Sequence, residues 1–145
     1  MTTTTAIMIE EAAAIGIAAE MAINSPQWTD AMNTALARRG TRDALISALV
    51  REHGVDRNAW ATIDLSILLL ERIDTFAAYQ NYRALQAVIA YILGDNEVAK
   101  CLLEQQPEHK FSSLLWRVVD NGIEPKAWAA VTARMTLEEC LVFNG

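Results

Sequence analysis

A chain of 145 residues with a formal charge of −6, 52 % hydrophobic residues, six glycines and three prolines is sized for one domain with a proper core. Its alanine- and leucine-rich balance favours packed helices over a sheet or a disordered chain, and its acidity argues against a dedicated nucleic-acid surface, which needs clustered cations. Cys101 and Cys140, in the apolar contexts VAKCLL and EECLVF and without motif spacing, read as buried free thiols of a cytoplasmic protein.

Met1 to Thr5 form a short polar lead, expected to be flexible, whose threonines can cap the first helix. Residues 6–23 then read as that helix, with apolar side chains spread almost all the way round, interrupted only by Glu10, Glu11 and Glu20. Such a helix is buried against something. No signal peptide or membrane span is expected, because the run lacks a basic leader and carries three carboxylates. Its small residues Ala12, Gly16 and Ala19 would admit another helix at close range. That neighbour belongs either to the chain's own core or to a second copy in a homodimer.

Asn24-Ser25-Pro26 marks the next start, with Ser25 as cap and Pro26 in the first turn. The second helix places Trp28, Met32, Ala35 and Leu36 on one side and reaches a stop signal at Arg38-Arg39-Gly40. Thr41 opens a third, with Ala44, Leu45, Ala48 and Leu49 inward, and Gly54 closes it. Asp56 caps a fourth, where Trp60, Ile63, Ile67 and Leu70 recur at helical spacing. Its run ILLL leaves little polar face, so this helix is the expected centre of the core; the flanking pattern argues against a strand at 66–70.

The fifth helix starts at Asp74 or Thr75 and lines up Phe76, Tyr79, Tyr82, Leu85, Ile89 and Ile92. Gly94-Asp95-Asn96 leads into a sixth with Val98, Leu102 and Leu103, ending at Pro107. A seventh over 111–119 presents Leu114, Leu115 and Val118; an eighth, opened by Glu124-Pro125, carries Trp128 and Val131. Thr136 is placed to cap a last short helix at 137–143. The expected fold is all-α: a single compact bundle of about eight short helices over residues 1–145, built from helix–turn–helix hairpins.

One device recurs at a separation of 68 residues: VREHGVDRNAWATI (50–63) aligns without a gap to VVDNGIEPKAWAAV (118–131). In each, glycine ends one helix, an aliphatic residue packs back, an acid starts the next helix and a tryptophan comes one turn in. Two similar corners of one bundle, or a duplicated hairpin giving a short solenoid-like stack, would both produce this echo. The 41–63 copy also has the look of a DNA-reading helix–turn–helix, with Arg57 and Asn58 suited to phosphate and adenine contacts. Residues 38–57 hold five of the twelve cations (Arg38, Arg39, Arg42, Arg51, Arg57), but Asp43, Glu52 and Asp56 reduce their net charge to +2.

The stretch YILGD-NEVAKCLLEQQPEHKFSSLLWRVVDNGIEP resembles the C-terminal part of the actinobacterial proteins grouped as domain of unknown function 4192. The resemblance rests on Tyr91, Gly94-Asp95, Ala99, Leu102-Leu103, Pro107, Leu114-Leu115 and Gly122-Ile123-Glu124-Pro125. Arg42-Asp43-Ala44-Leu45 matches that family's helix start upstream. It covers residues 41–128; residues 1–37 depart from the family's longer N-terminal portion, so nothing that portion does carries over. The resemblance implies a fold neighbourhood and an actinobacterial or mobile-element source, and no chemistry.

No phosphate loop, G-x-S-x-G, H-E-x-x-H, C-x-x-C or EF-hand pattern is present. His53 and His109 each sit beside a helix end, where capping is the ordinary role. Glu10-Glu11 and Glu138-Glu139 are adjacent, so neither pair shares a helix face. Asp64, on an apolar helix, would need a partner such as Arg83 or Arg72. Trp116, at the edge of an apolar stripe and beside Arg117, has the composition of an interface anchor. The expectation is therefore a non-enzymatic protein-interaction module without cofactor or metal. It would bind a protein through Trp116, Arg117 and Lys126 and self-associate through Ala12, Gly16 and Ala19. An accessory protein of a phage or plasmid that modulates a host protein is one version of it, and a DNA-binding regulator using Arg57 and Asn58 is the alternative.

Overall fold

The computed structural model describes residues 3–21, 23, 25–67, 76–106, 110–135 and 139–140. Within them run eight α-helices and no strand: α1 (Thr3–Glu20), α2 (Pro26–Ala35), α3 (Arg39–His53), α4 (Arg57–Ile67), α5 (Phe76–Ile92), α6 (Asn96–Glu104), α7 (Lys110–Asp120) and α8 (Pro125–Thr132). Thr3 to Thr5 belong to α1 instead of a lead. Leu70, Arg72, Asp74, Thr75, Pro107, His109 and Thr136 lie outside the described residues; of the last expected helix, Glu139 and Cys140 are described and helical.

Short polar side chains start the helices by accepting amide protons that have no partner inside the helix. Ser25 Oγ accepts from the Trp28 amide at 3.1 Å, with Pro26 first in α2. Asp56 Oδ1 accepts from the Asn58 and Ala59 amides at 2.9 and 3.3 Å, and Asp95 Oδ1 from Val98 at 3.3 Å. Gly54, Gly94 and Gly122 end their helices with positive φ. At Gly94 and Gly122 the glycine amide donates three residues back and the following amide five residues back. Gly54 instead donates to Val50, four back, and its ψ is −127°. The sequence echo of 50–63 in 118–131 therefore does not extend to the turns. Nor does it extend to the tryptophans: Trp60 is fully buried with Nε1 donating to the Gly54 carbonyl at 3.0 Å, whereas Trp128 is half-buried.

The core centres on α3, every residue of which from 40 to 50 is buried, and which packs against α1, α2, α5 and α8. The most extensive packing otherwise joins consecutive helices, α1 with α2, α5 with α6 and α6 with α7, so the bundle is assembled from neighbouring pairs with α3 buried among them. Helix α3 thereby displaces α4, the expected centre, which leaves Leu65 67 % exposed. The polar residues of α3 are why it reads as a surface helix. Arg42, with no exposed surface, donates through Nε to Asp43 Oδ1 at 2.8 Å and through Nη1 to Asn81 Oδ1 at 3.1 Å. Its Nη2 lies 2.8 Å from the same Asp43 oxygen, outside hydrogen-bond geometry, and the guanidinium stands 5.1 Å over the Phe111 ring. Asn81 in turn donates to the Leu36 carbonyl at 2.9 Å. A buried charge is tolerable when partners surround it in this way.

The junction before α3 also differs from expectation. Helix α2 ends at Ala35, Arg38 is the cap of α3, and Gly40 is buried in the first turn of α3 instead of terminating α2. Thr41 does not open the helix; its hydroxyl donates to the Arg38 carbonyl at 3.0 Å. Helix α1 buries Glu11, Ala14, Ile15, Ala18 and Ala19 against α2 and α3, with Glu11 held by Arg38 at 2.6 Å. Its other face stays open, so it is not buried all round. Tyr79, Val98, Leu114 and Val131, expected inward, are exposed, and so is Cys101; the side chain of Phe76 lies outside what is described.

Candidate functional site

The exposed Leu114 and Val131 flank a groove of about 250 Å³ between α7, α8 and the middle of α3. Phe111, Leu114, Leu115 and Val118 line one wall at i, i+3, i+4, i+7 spacing, and Trp128, Val131 and Thr132 of α8 the other, with Met135 from the turn beyond it. Asp43, Ser47 and Cys140 contribute the polar part of the lining. Burial, reinforced by the Asp43 carboxylate, pushes the Cys140 thiol up to about 11, so it stays protonated and unreactive at neutral pH.

Three attachments fix the α8 wall. Tyr91 on α5 donates its hydroxyl to the Ile123 carbonyl just before α8. The Tyr91 and Trp128 rings meet edge to face at 5.7 Å. Arg51 Nη1 donates to the Ala133 and Met135 carbonyls at 2.9 and 3.0 Å, holding the far end of α8 to α3. Leu114 is 50 % and Val131 68 % exposed, so two aliphatic side chains stand in water beside an apolar trough. Sequence reasoning assigned both to the core. The available signal was the width of the α7 stripe, where 111, 114, 115, 118 and 119 are all apolar, more than one packing neighbour covers.

Trp116 and Arg117 do come together, but on the α6 side of α7. Trp116 is half-buried, donates through Nε1 to Glu104 at 3.1 Å, and has Lys100 Nζ 5.0 Å over its ring. Lys100 also pairs with Asp120 at 2.7 Å. Trp116 is thus committed to joining α6 and α7. Arg117, exposed, borders a small hollow there with Leu103, Glu104, Ser112 and Ser113, while Lys126 is exposed on α8 and is not among its walls.

Of the small residues on α1, Ala12 is exposed, Gly16 half-buried and Ala19 buried. All three line a cleft of about 300 Å³ against Ala44 and Ala48 of α3. A methyl group built on Gly16 would meet nothing within 4 Å. Ile9 (54 % exposed) lies beside this line, while Ile17 and, just past the helix end, Met21 are exposed on the far side of the helix.

Arg57 and Asn58 are exposed at the start of α4. Much of the basic cluster around them is already engaged: Arg38 by Glu11, Arg42 by Asp43 and Asn81, and Arg51 by two carbonyls. Arg39 and Arg57 are left as its uncommitted cations among the described residues, and Arg57 lies close enough to Gly94 that a Cβ there would stand 3.3 Å from its Nη2. Asp64 and Arg83 line one cleft between α4, α5 and α6, and His53 does not join them. Among the described residues, no group of three or more His, Cys, Asp and Glu is placed to hold a metal ion, and no helix is long and apolar enough to cross a membrane. Compared with protein families, curated proteins and solved structures, the chain matches none.

Proposed function

We propose that this chain is a non-enzymatic helical protein-interaction module that receives an amphipathic helix of a partner protein in the α7–α8 groove. The observation that carries this reading is the pair of exposed aliphatics, Leu114 and Val131, on either side of an apolar trough with helical spacing on both walls. A ridge at i, i+3, i+4, i+7 on α7 facing one at i, i+3, i+4 on α8 is what a third helix packs between. An accessory protein of a mobile element that modulates a host protein is the natural setting, in keeping with the resemblance over residues 41–128. Arg117 and Lys126, both exposed, would contribute at most rim contacts, and Trp116 is already committed to α6. Capture of a partner, followed by affinity measurement on Leu114→Asp and Val131→Asp, tests this. Each substitution should weaken binding by about 30-fold or more, the loss of an anchor worth roughly 2 kcal/mol. Unchanged affinity in both would remove the groove from the account.

Self-association through α1 is a second element of the reading, supported by the open Cβ position of Gly16 beside exposed Ile9 and Ala12. Binding of duplex DNA by the 41–63 hairpin is the competing reading and rests on Arg57 and Asn58. Salt-sensitive DNA binding that disappears in Arg57→Ala would favour it over the groove.

A further inference from the structure

Asp64 was expected to pair with Arg83 or Arg72; Arg72 lies outside the described residues, and no ion pair joins Asp64 to Arg83. Both line a cleft of about 450 Å³ whose floor is a single stripe of α5, Arg83, Gln86, Ala90 and Leu93, and whose far wall is α6. No ion pair within 4.0 Å joins the two charges. Arg83 turns along its own helix instead, donating through Nε and Nη2 to the Tyr79 hydroxyl, at 2.8 and 2.5 Å, and through Nη1 to Gln86 at 2.9 Å. Its guanidinium also lies 4.9 Å over the Tyr79 ring, and none of these partners is an anion. Asp64, half-buried, has no hydrogen bond or ion pair among the described residues, and burial pushes its carboxyl above the ordinary value. Asp95, the second carboxylate on the cleft, caps α6 through a hydrogen bond from the Val98 amide and keeps its charge. The rest of the lining is aliphatic, with Val98 and Leu102 on the α6 side.

A cleft that sets the Asp64 carboxylate, without a hydrogen-bond partner among the described residues, against the Arg83 guanidinium, without an anionic partner among them, over an aliphatic floor is complementary to a molecule carrying the opposite pair of charges on an aliphatic body. We propose that this cleft binds a small aliphatic zwitterion of the amino-acid class, its ammonium on Asp64, its carboxylate on Arg83 and its side chain against Ala90 and Leu93. Asp95, the other carboxylate of the cleft, is engaged as the cap of α6 and His53 lies elsewhere, so the role assigned to the site is binding. It is separate from the α7–α8 groove and stands or falls independently of it.

The test uses the full chain and three probes: L-leucine, which carries both charges, isopentylamine, which carries the cation alone, and 4-methylpentanoate, which carries the anion alone. Amide NMR shifts at Leu93, Gly94 and Asp95 report occupancy. Leucine should shift these amides with an affinity at least about 10-fold tighter than either half-probe, the difference one additional charged contact makes. Asp64→Asn should abolish the amine contribution and spare the carboxylate probe, and Arg83→Gln should do the reverse. Both residues are partly exposed, so circular dichroism of the variants should match that of the parent chain. No shift at these amides with leucine at about 10 mM, equal affinity for all three probes, or indifference to both substitutions would each overturn the proposal.

Discussion

Gly16 and Gly54 invite the same substitution with opposite results. Gly16 lies inside α1, where its missing side chain serves no packing purpose: an added Cβ meets nothing within 4 Å. Glycine in a helix interior costs about 0.5–1 kcal/mol relative to alanine, so Gly16→Ala should stabilise the fold by that amount. For a chain of this length, 1 kcal/mol moves Tm by roughly 2–4 °C, so the expected rise is about 1–4 °C. Gly54 also has open space around it, but its φ of +57° with ψ of −127° is a conformation that side chains disfavour. Gly54→Ala should therefore destabilise by about 1–3 kcal/mol and lower Tm by roughly 2–12 °C. Melts followed by far-UV circular dichroism at low protein concentration measure both. If Gly16→Ala were neutral or destabilising under those conditions, position 16 would not be an open helical interior. At high concentration the same variant should sediment closer to monomer than the parent chain, because the added methyl group holds a second helix away.

Thiol reactivity separates the two cysteines: at neutral pH a thiol reagent should label exposed Cys101 in the native protein and reach Cys140 only on unfolding, as peptide mass spectrometry would show. Equal labelling rates would contradict the burial of Cys140. Burial pushes the Tyr91 phenol from its ordinary 10 up to about 12, so the folded state holds that proton more tightly than the unfolded chain. The associated stability is fully present below pH 10 and is lost as pH rises toward 12. Urea unfolding across that interval should show the loss, and Tyr91→Phe should flatten it while costing about 1 kcal/mol at neutral pH for the missing bond to Ile123. Asp43→Leu deprives a fully buried guanidinium of its carboxylate and should cost about 3–5 kcal/mol. Adding Arg42→Met should restore most of that, and additive losses in a urea double-mutant cycle would show that the two residues do not act as a pair.

Helix boundaries were legible wherever a short polar side chain or a positive-φ glycine sets them. Ser25, Asp56 and Asp95 cap as their positions suggest, and Gly54, Gly94 and Gly122 end helices. Arg38-Arg39-Gly40 misled because α2 and α3 adjoin with almost no loop, so residues that usually end a helix begin the next one. Which face of each helix meets the core was less legible. Val98, Leu114 and Val131 are aliphatic at core spacing, yet periodicity says nothing about whether a neighbour exists to cover them. The centre of the fold was hidden for the opposite reason: Thr41, Arg42, Asp43 and Ser47 make α3 look solvated, and only Asn81, 39 residues away from Arg42, and the Phe111 ring reveal how it is buried. The groove sets the consecutive helices α7 and α8 against the distant α3, so the wide apolar stripe of α7 is its one local sign.

Selection from a library of amphipathic helical peptides, followed by hydrogen-exchange footprinting of the bound chain, tests the interaction module most directly. The account expects a selected peptide to protect α7 and α8 around Leu114, Trp128 and Val131, and to lose affinity in Leu114→Asp and Val131→Asp while their helical content stays unchanged. Protection confined to other helices, or selection that yields nothing above background for the parent chain, would contradict it.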